Sequence, residues 1–516
     1  MTQAAGRRTR SLGMLGLVVI AALLASALLP TADAREPGAL PTIRLLAASD
    51  HLTVVQSRKF GFSTTAPVYV ASTGGSYELW AERHRFGQPY QVRQIVRDST
   101  GATIDSAATA LTFDRLRDGL PKFSHLTLTN AVGEIVKTRD EDFCPNSYLP
   151  QRVNDKGPEN PTYPEICYPN PFTSGMVWGI DRGWAAPLGQ SLQSRNRLPT
   201  GLYTLTVEIT PYYQQALGLS AETSTATLDV SITNKSDVEP HHRVNTSHVN
   251  ATGGDQSPTN AEPSQTSLTK AVRRVPGDQA RPDLVALPAW GMDVRNRRDG
   301  RSFLRFGATV WNAGPSPLVV EGFRETDGDT ATDTMKAYQY FYEDGVKVGR
   351  AFSGRLEYDN HDGHDHWHFR DFAAYSLLNE NKEHVVPSGK EAFCLAPTDL
   401  IDLTIPGAEF RPFLTGLATA CGESDSLWIR EVLAAGWGDT YAQYRPGQSF
   451  NITRLPNGKY FVKVLANPDD RLYETTQTNN VALRRIFIKG PKGERRVVVP
   501  PFRGIDTEHS GCGKFC

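Results

Sequence analysis

Several features typical of nucleic-acid-binding, redox and repeat proteins are missing from this 516-residue sequence. Its 55 basic and 56 acidic residues nearly cancel, so the formal net charge of −1 predicts no nucleic-acid or acidic-polymer partner. The six cysteines include no Cys-x-x-Cys motif, which argues against a zinc ribbon or a thioredoxin-type redox site. No repeat of about 20–50 residues is evident.

Long apolar runs are also missing, apart from one near the N-terminus. An apolar stretch from about Leu15 to Leu29 follows several arginines and precedes a small-residue cleavage pattern that ends at Ala34. This order predicts a signal peptide over residues 1–34 and a secreted protein with no stable membrane insertion after cleavage. A membrane anchor is the alternative, but the stretch is short for a hydrocarbon core of roughly 30 Å. A twin-arginine export route stays open, because Arg7 and Arg8 are adjacent.

Six cysteines in an exported chain predict disulfides rather than free thiols. Their positions suggest three local pairs, namely Cys144 with Cys167, Cys394 with Cys421, and Cys512 with Cys516. The sequence alone leaves this connectivity open.

Composition divides the remaining chain into four segments. Residues 35–235 contain short period-two runs such as Leu202–Thr210, which are typical of half-buried strands and predict a β-sandwich-like domain. Residues 236–280 are rich in Asn, Ser, Thr and Pro and predict a flexible linker. Residues 281–489 again contain strand-like runs and predict a β-rich second domain, followed by a tail over 490–516. The predicted fold class is mainly β, and we interpret the first domain as a positioning or adhesion module.

The most specific feature is a histidine cluster. Four of the 12 histidines lie between His361 and His368, and His364, His366 and His368 alternate with other residues. On an extended strand these three side chains leave the same face, so three imidazoles can converge on one metal ion. Three imidazoles without a thiolate suit Cu(II) or Zn(II) and argue against a blue-copper centre.

Around this cluster, several segments resemble the lysyl oxidase family. The talon-like His361-Asp-Gly-His-Asp-His-Trp-His368 is followed by Phe372-Ala-Ala-Tyr-Ser-Leu-Leu378, Lys390-Glu-Ala-Phe-Cys-Leu395 and Gly436-Trp-Gly-Asp-Thr-Tyr441 in the family's order. The resemblance runs over about residues 281–488, from Arg281-Pro-Asp-Leu-Val285 to Asn479-Asn480. It implies a lysyl-oxidase-like catalytic domain that oxidises primary amines, including peptidyl lysine, to aldehydes.

The resemblance also implies the cofactors and their residues. His364, His366 and His368 would bind Cu(II), and Lys390 and Tyr441 would be cross-linked into lysine tyrosylquinone. With dioxygen as oxidant, turnover would release hydrogen peroxide and ammonia. The cross-link requires a neutral Lys390 amine, which predicts a partly desolvated environment because burial lowers a lysine pKa.

Two positions depart from the family's pattern. Ala374 stands where some members have a histidine, so the general base stays open between Asp439, His361 and Asp371, in that order. The family's calcium ligands correspond to Asp283, Leu284, Glu474, Thr476, Asn479 and Asn480. Thr476 replaces an acid, so we expect a weakened calcium site.

Two other functions are compatible with the same residues. One is a non-catalytic extracellular copper-binding or cell-wall interaction protein. The other is a zinc hydrolase that uses the imidazoles and a bound hydroxide.

Overall fold

The computed structural model describes residues 40–57, 61–98, 101–116, 119–147, 149–189, 191–234, 275–327, 330–359, 366–370, 372–387, 392–445 and 447–508. The predicted signal peptide, most of the predicted linker, and Cys512 and Cys516 lie outside these ranges. Within these ranges, no helix has the length and apolar character needed to cross a membrane. Residues from Leu40 onwards belong to one unit. The predicted domain boundaries stay predictions.

The N-terminal region, residues 40–234, is built from short strands. Its described strands are β1 Thr42–Ala47, β2 His51–Gln56, β3 Phe62–Thr65, β4 Val68–Thr73, β5 Tyr77–Glu82, β6 Tyr90–Arg97, β7 Thr103–Phe113, β8 Leu120–Asn130, β9 Ile135–Phe143, β10 Gln151–Arg152, β11 Gly175–Ile180, β12 Trp184–Pro187, β13 Ser191–Ser194, β14 Gly201–Ile209 and β15 Thr225–Asn234. They form sheets in the orders β1-β4-β12-β10, β11-β5-β6-β7, β13-β3 and β2-β15-β14-β8-β9.

One α-helix, α1 Pro211–Leu217, interrupts the strands described in this region. Proline stands at its start, where a missing backbone N–H costs nothing, and Gly218 follows its end in the left-handed conformation at φ 64°. Tyr213 is the buried residue of this helix, and its ring packs against Phe123. The helix therefore closes one end of the N-terminal core.

The C-terminal region, residues 275–508, is also mainly β. A short 3-10 helix, Asp278–Ala280, precedes the strands and a second, Pro412–Leu414, interrupts them. The described strands are β16 Leu284–Ala286, β17 Trp290–Asn296, β18 Ser302–Asn312, β19 Leu318–Asp327, β20 Thr330–Glu343, β21 Val346–Asp359, β22 His366–Arg370, β23 Ala373–Leu378, β24 His384–Pro387, β25 Ala392–Phe393, β26 Asp399–Leu400, β27 Trp428–Leu433, β28 Trp437–Tyr441, β29 Ser449–Asn451, β30 Gly458–Ala466, β31 Val481–Lys489 and β32 Arg496–Val498.

Three sheets organise this region. Their orders are β16-β18-β28-β26, β25-β22-β21-β20-β19-β27 and β24-β23-β30-β31-β32, and β17 and β29 also pair with β18. The predicted tail begins inside the last sheet, because β32 pairs with β31. The fold class predicted from the sequence, mainly β, is confirmed.

Period-two alternation explains why these segments form half-buried strands. In β14 the alternate residues Tyr203, Leu205, Val207 and Ile209 are buried, and Glu208 between them is exposed. The same alternation gives β30 a buried face. The hydrophobic side of each strand packs into the core, and the polar side contacts solvent or a neighbouring element.

Two of the three predicted disulfides are present among the described residues. Cys144 and Cys167 are joined with Cα atoms 5.8 Å apart, and Cys394 and Cys421 with Cα atoms 5.9 Å apart. The first bond closes the proline-rich excursion between β9 and β11, and the second lies beside the histidine-bearing strand. These two predicted pairings are confirmed.

Candidate active site

His366 and His368 begin the candidate site on β22. Because side chains alternate along a strand, both imidazoles leave the same face, and their Nε2 atoms are 3.0 Å apart. The two rings are nearly perpendicular, at 86°, and His368 is 2% exposed. Two of the three predicted copper ligands therefore converge, and the third, His364, lies outside the described residues. Among the described residues, no group of three or more His, Cys, Asp or Glu side chains is arranged to hold a metal ion.

Tyr441 lies at the end of β28, and its hydroxyl is held by backbone. The hydroxyl donates to the carbonyl oxygen of Cys394 at 3.2 Å and accepts the Cys394 N–H at 3.1 Å. The Phe393 and Tyr441 rings pack in a T-shaped arrangement, with centroids 4.9 Å apart. Burial raises the pKa of Tyr441 well above its ordinary value, and the negative charges of Asp439 and Glu431 raise it further. The phenol is therefore kept protonated.

Strand β25 connects Tyr441 to the histidine strand. Phe393 on β25 pairs with Phe369 on β22, and Phe369 is the residue that follows His368. Cys394 follows Phe393 along the chain and holds the Tyr441 hydroxyl. One short strand thus separates the backbone contact of Tyr441 from the imidazoles.

The second disulfide reinforces this connection. Cys394, which contacts the tyrosine, is bonded to Cys421, whose carbonyl oxygen accepts the Trp367 N–H at 3.0 Å. Trp367 lies between the two histidines and is fully buried. The disulfide therefore joins the backbone that holds Tyr441 to the backbone of the histidine strand.

Asp439, the first of the predicted general bases, lies on β28 two residues before Tyr441. Residues at i and i+2 of a strand share a face, so the carboxylate and the phenol project to the same side. Asp439 is 3% exposed. Pairing of β28 with β18 places it opposite Val310. The other predicted bases, His361 and Asp371, lie outside the described residues.

Glu431 is a buried acid that the sequence interpretation did not single out. It is 0% exposed, and its carboxylate accepts the Leu395 N–H at 3.1 Å. Burial raises its pKa well above the ordinary 4.5, and the nearby Asp439 adds to this, while backbone N–H groups of Leu395 and Phe369 oppose it. Glu431 lies on the same face of β27 as the buried Ile429 and Leu433. An acid in that apolar pattern was the sequence signal that could have identified it.

The region that carries these residues is similar to known proteins. Residues 332–494 match a family model described as Lysyl oxidase. The C-terminal region therefore contains a lysyl oxidase domain over the matched residues. Lysyl oxidase homolog 2 of Bos taurus is 29% identical over 144 residues, which are 27% of this chain and 16% of that protein. Human protein-lysine 6-oxidase is 31% identical over 129 residues, which are 25% of this chain and 27% of that protein.

These matches cover a limited part of each relative. The chain spans 16% of the length of the first relative and 27% of the second. The family relationship supports a copper amine oxidase-like function for the lysyl oxidase region.

The residues of the lysyl oxidase region fit a bound copper ion. Metal–nitrogen bonds of about 2.0–2.1 Å to one ion bring two imidazole nitrogens to the kind of separation observed between His366 and His368. Imidazole is also a ligand that Cu(II) favours. Lys390, the predicted partner of Tyr441, lies outside the described residues. In sequence it precedes Ala392 of β25 by two positions.

Five of the six predicted calcium ligands, all except Thr476, are joined by hydrogen bonds between the two ends of the C-terminal region. Asn479 donates its amide to both carboxylate oxygens of Asp283, at 3.2 and 3.0 Å. Glu474 is 6% exposed and accepts the Leu284 N–H at 2.9 Å and the Asn480 amide at 2.7 Å.

Two side-chain oxygens in this cluster could act as ligands to a cation. The side-chain oxygens of Asn479 and Asn480 are buried and have no hydrogen-bond partner among the described residues. Side-chain amide oxygens and carboxylates are ligands that Ca²⁺ prefers. The Thr476 hydroxyl, in the position of the missing acid, pairs with Thr478 at 3.0 Å. These oxygen ligands would suit Ca²⁺, but they carry one negative charge fewer than the family's ligand set, because Thr476 replaces an acid.

Proposed function

We propose that the C-terminal region is a copper- and lysine-tyrosylquinone-dependent oxidase of primary amines, with peptidyl lysine as the leading substrate class. The observation that carries this proposal is the backbone clamp on the Tyr441 hydroxyl at Cys394, one short strand away from the paired imidazoles of His366 and His368. The ordered family motifs and the matched region support it. Export through a signal peptide is part of the same proposal.

In this proposal, some residues bind the metal ion and others form the organic cofactor. His364, His366 and His368 would hold Cu(II), and Lys390 and Tyr441 would form the cross-linked quinone. When bound and mature, this pair supplies an electrophilic carbonyl and a route for electrons to dioxygen. In the balanced reaction, a primary amine, dioxygen and water give an aldehyde, hydrogen peroxide and ammonia.

Asp439 is our choice for the base that removes the proton from the substrate carbon next to the amine. It shares the strand face of Tyr441, and burial keeps water away from it. A carboxylate within reach of the reacting carbon contributes about 10²–10⁴-fold to such a step. Glu431 would act as a fixed, buried group that holds the backbone of Leu395 and Phe369 next to the site.

The phenol of Tyr441 must be held still before it is oxidised. Its hydroxyl is fixed by two contacts with Cys394, and its ring by packing against Phe393. This arrangement limits ring rotation and supports reaction at one edge of the ring.

The test uses the full chain, loaded with copper under air. We expect peptides containing positions 390 and 441 to appear as one covalent unit by mass spectrometry, and hydrogen peroxide to form from a simple alkylamine. Lys390→Arg should keep copper and lose both signals, whereas Lys459→Arg, a surface lysine paired with Glu380, should keep both.

Two outcomes would contradict the proposal. Separate peptides for positions 390 and 441 in a copper-loaded protein would favour a non-catalytic copper-binding role. Hydrolytic activity with bound zinc, and no peroxide with copper, would favour the hydrolase.

A further inference from the structure

A segment of the N-terminal region lies against the sheet that carries Tyr441. Two isolated parallel bridges join this segment to β26 and the residues after it, from Pro169 to Leu400 and from Gly175 to Asp402. The Ser174 N–H donates to the Ile401 carbonyl at 2.7 Å, and the Leu403 N–H donates to the Gly175 carbonyl at 3.0 Å. Since β26 pairs with β28 and is the edge strand of this sheet, the segment contacts the sheet at that edge.

The contact is tightly packed. Phe172 is fully buried in a small cluster with Leu287, Trp290 and Ile401 of the C-terminal region. A Cβ atom on Gly175 would lie 2.2 Å from the Asp402 carboxylate, so backbone and side chain meet there without space for a larger residue. An interface packed this closely has little freedom to shift.

Asn170 crosses this interface with its side-chain amide. It is 4% exposed and donates to Asp399 Oδ2 at 2.9 Å and to Thr309 Oγ1 at 3.1 Å. Its own Oδ1 accepts the Phe172 N–H at 2.9 Å, so the amide is fixed at both ends. One residue of the N-terminal region thus bonds to two strands of the C-terminal sheet.

Both partners of Asn170 bond to Thr440, the residue between Asp439 and Tyr441. Thr440 Oγ1 is 2.6 Å from Thr309 Oγ1 and also bonds to the Asp399 carboxylate. Pairing of Thr309 with Thr440 fixes the register in which Ala308 pairs with Tyr441. Because side chains alternate, Thr440 projects from the face of β28 opposite to Asp439 and Tyr441.

We propose that Asn170 is a positioning residue for Tyr441, and that the N-terminal region is part of the machinery that matures the quinone. Through Asp399, Thr309 and Thr440, Asn170 holds the back of the strand whose front carries the reacting ring. This inference rests on the proposed function, because it assumes that Tyr441 becomes the quinone. A shift of about 1 Å in a reacting group costs on the order of 10²-fold in rate, so fixing this strand matters for ring oxidation.

The experiment compares Asn170→Asp, Asn170→Ala and the double variant Asn170→Asp/Asp399→Asn in the full chain. Asn170→Asp removes the donors and faces Asp399 with a second carboxylate. The double variant exchanges the amide and the carboxylate and restores a donor–acceptor pair. The matched control is Glu165→Gln, which breaks the Glu165–Arg411 ion pair of the same interface and leaves Asn170 unchanged.

Two readouts are measured on each protein. The first is the rate at which a phenylhydrazine-reactive quinone appears after copper addition under air, with copper content determined in parallel. The second is hydrogen–deuterium exchange of the metal-free protein over residues 436–445, which needs no cofactor.

We expect Asn170→Asp to slow quinone formation on the order of 10²-fold at unchanged copper content and to speed exchange across β28. The double variant should recover most of the rate, and Glu165→Gln should match wild type in both readouts. If Asn170→Asp does not fold, Asn170→Ala carries the same comparison.

The outcomes separate the two proposals. Wild-type rates and exchange in both Asn170 variants would overturn the positioning role while leaving the oxidase proposal intact. Equal slowing by Glu165→Gln would also overturn it, since any loss at the interface would then suffice. If the wild-type chain forms no quinone but the Asn170 variants loosen β28, the strand-holding role stands and the proposed function fails.

Discussion

At the scale of single residues, Tyr441 is held by its hydroxyl as well as by its ring. The hydroxyl makes two contacts with the Cys394 backbone, and packing against Phe393 limits ring rotation. Burial and the nearby acidic groups raise the pKa of the phenol well above its ordinary value, so the buried hydroxyl keeps its proton.

Tyr441→Phe removes the oxygen from which a quinone would be made. We expect copper content near wild type, no phenylhydrazine-reactive group and amine oxidation at background. Loss of the two contacts with the Cys394 backbone should lower the free energy of unfolding by about 1–3 kcal/mol. Tyr375→Phe, which changes a second buried tyrosine packed on Phe393, should still form the quinone. Quinone formation in Tyr441→Phe would show that another tyrosine is the precursor.

Glu431 gives a pH-dependent prediction. Its folded-state pKa is raised above the ordinary 4.5, so the folded protein binds this proton more tightly than the unfolded chain. The resulting stability is fully present below the ordinary pKa and is lost as pH rises through the folded pKa.

Glu431→Gln should therefore flatten the fall in unfolding free energy as pH rises above the ordinary pKa of 4.5. Urea unfolding of metal-free protein at several pH values measures the slope. Glu134→Gln, an exposed position, should keep the wild-type slope. A parallel fall in wild type and Glu431→Gln would mean that other buried acids carry the dependence.

At the scale of elements, both faces of β28 carry residues that matter to the candidate site. Asp439 and Tyr441 project from one face, and Thr440 bonds from the other to Thr309 and Asp399. The neighbouring β25 is short, and its connection to the histidine strand is reinforced by the Cys394–Cys421 disulfide. Local geometry at the site therefore depends on a covalent link between two loops.

Replacing both Cys394 and Cys421 by alanine should lower the free energy of unfolding by about 3–4 kcal/mol and slow quinone formation. Replacing both Cys144 and Cys167 is the matched control, because the sequence separations, 27 and 23, are similar. The control should lose comparable stability, measured by denaturant unfolding, and mature at the wild-type rate per folded molecule. Equal maturation rates in the two double variants would refute a local role for the Cys394–Cys421 bond.

At the scale of the whole molecule, segments distant in sequence hold the C-terminal region together. Asp283, near its start, meets Asn479 near its end, and Glu474 joins Leu284 to Asn480. A cation at this site would bind only the folded chain, because folding brings its ligands together. Binding would therefore stabilise the fold by mass action.

Calcium should raise the melting temperature of the chelator-treated protein, with a stabilisation of about 2.7 kcal/mol at a hundredfold excess over Kd. Magnesium at equal concentration should have a smaller effect, because it requires a tighter octahedral site. Asp283→Asn should abolish the calcium-dependent shift in differential scanning calorimetry. An identical shift in Asp283→Asn and wild type would place the calcium elsewhere.

Properties that depend on local order were accessible from the sequence. Period-two alternation predicted strands such as β14 and β30, and cysteine proximity predicted two disulfides that the structure contains. Alternation also predicted that His366 and His368 share a face, since side-chain direction on a strand depends only on the parity of the position. Tyr441 and Asp439 were also accessible from the sequence, because both belong to a short motif of the family.

Tertiary structure alone decided which distant residues support the site. Asn170 and Asp399 are 229 positions apart, and Glu431 meets Leu395 across 36 positions. Such contacts depend on which strands pair and in which register, and no local pattern encodes that choice. From the sequence, the N-terminal region was interpreted as a positioning or adhesion module, and no local pattern predicted its contact with the sheet that contains β28. Its buried amide contact with the C-terminal sheet is a property of the folded chain.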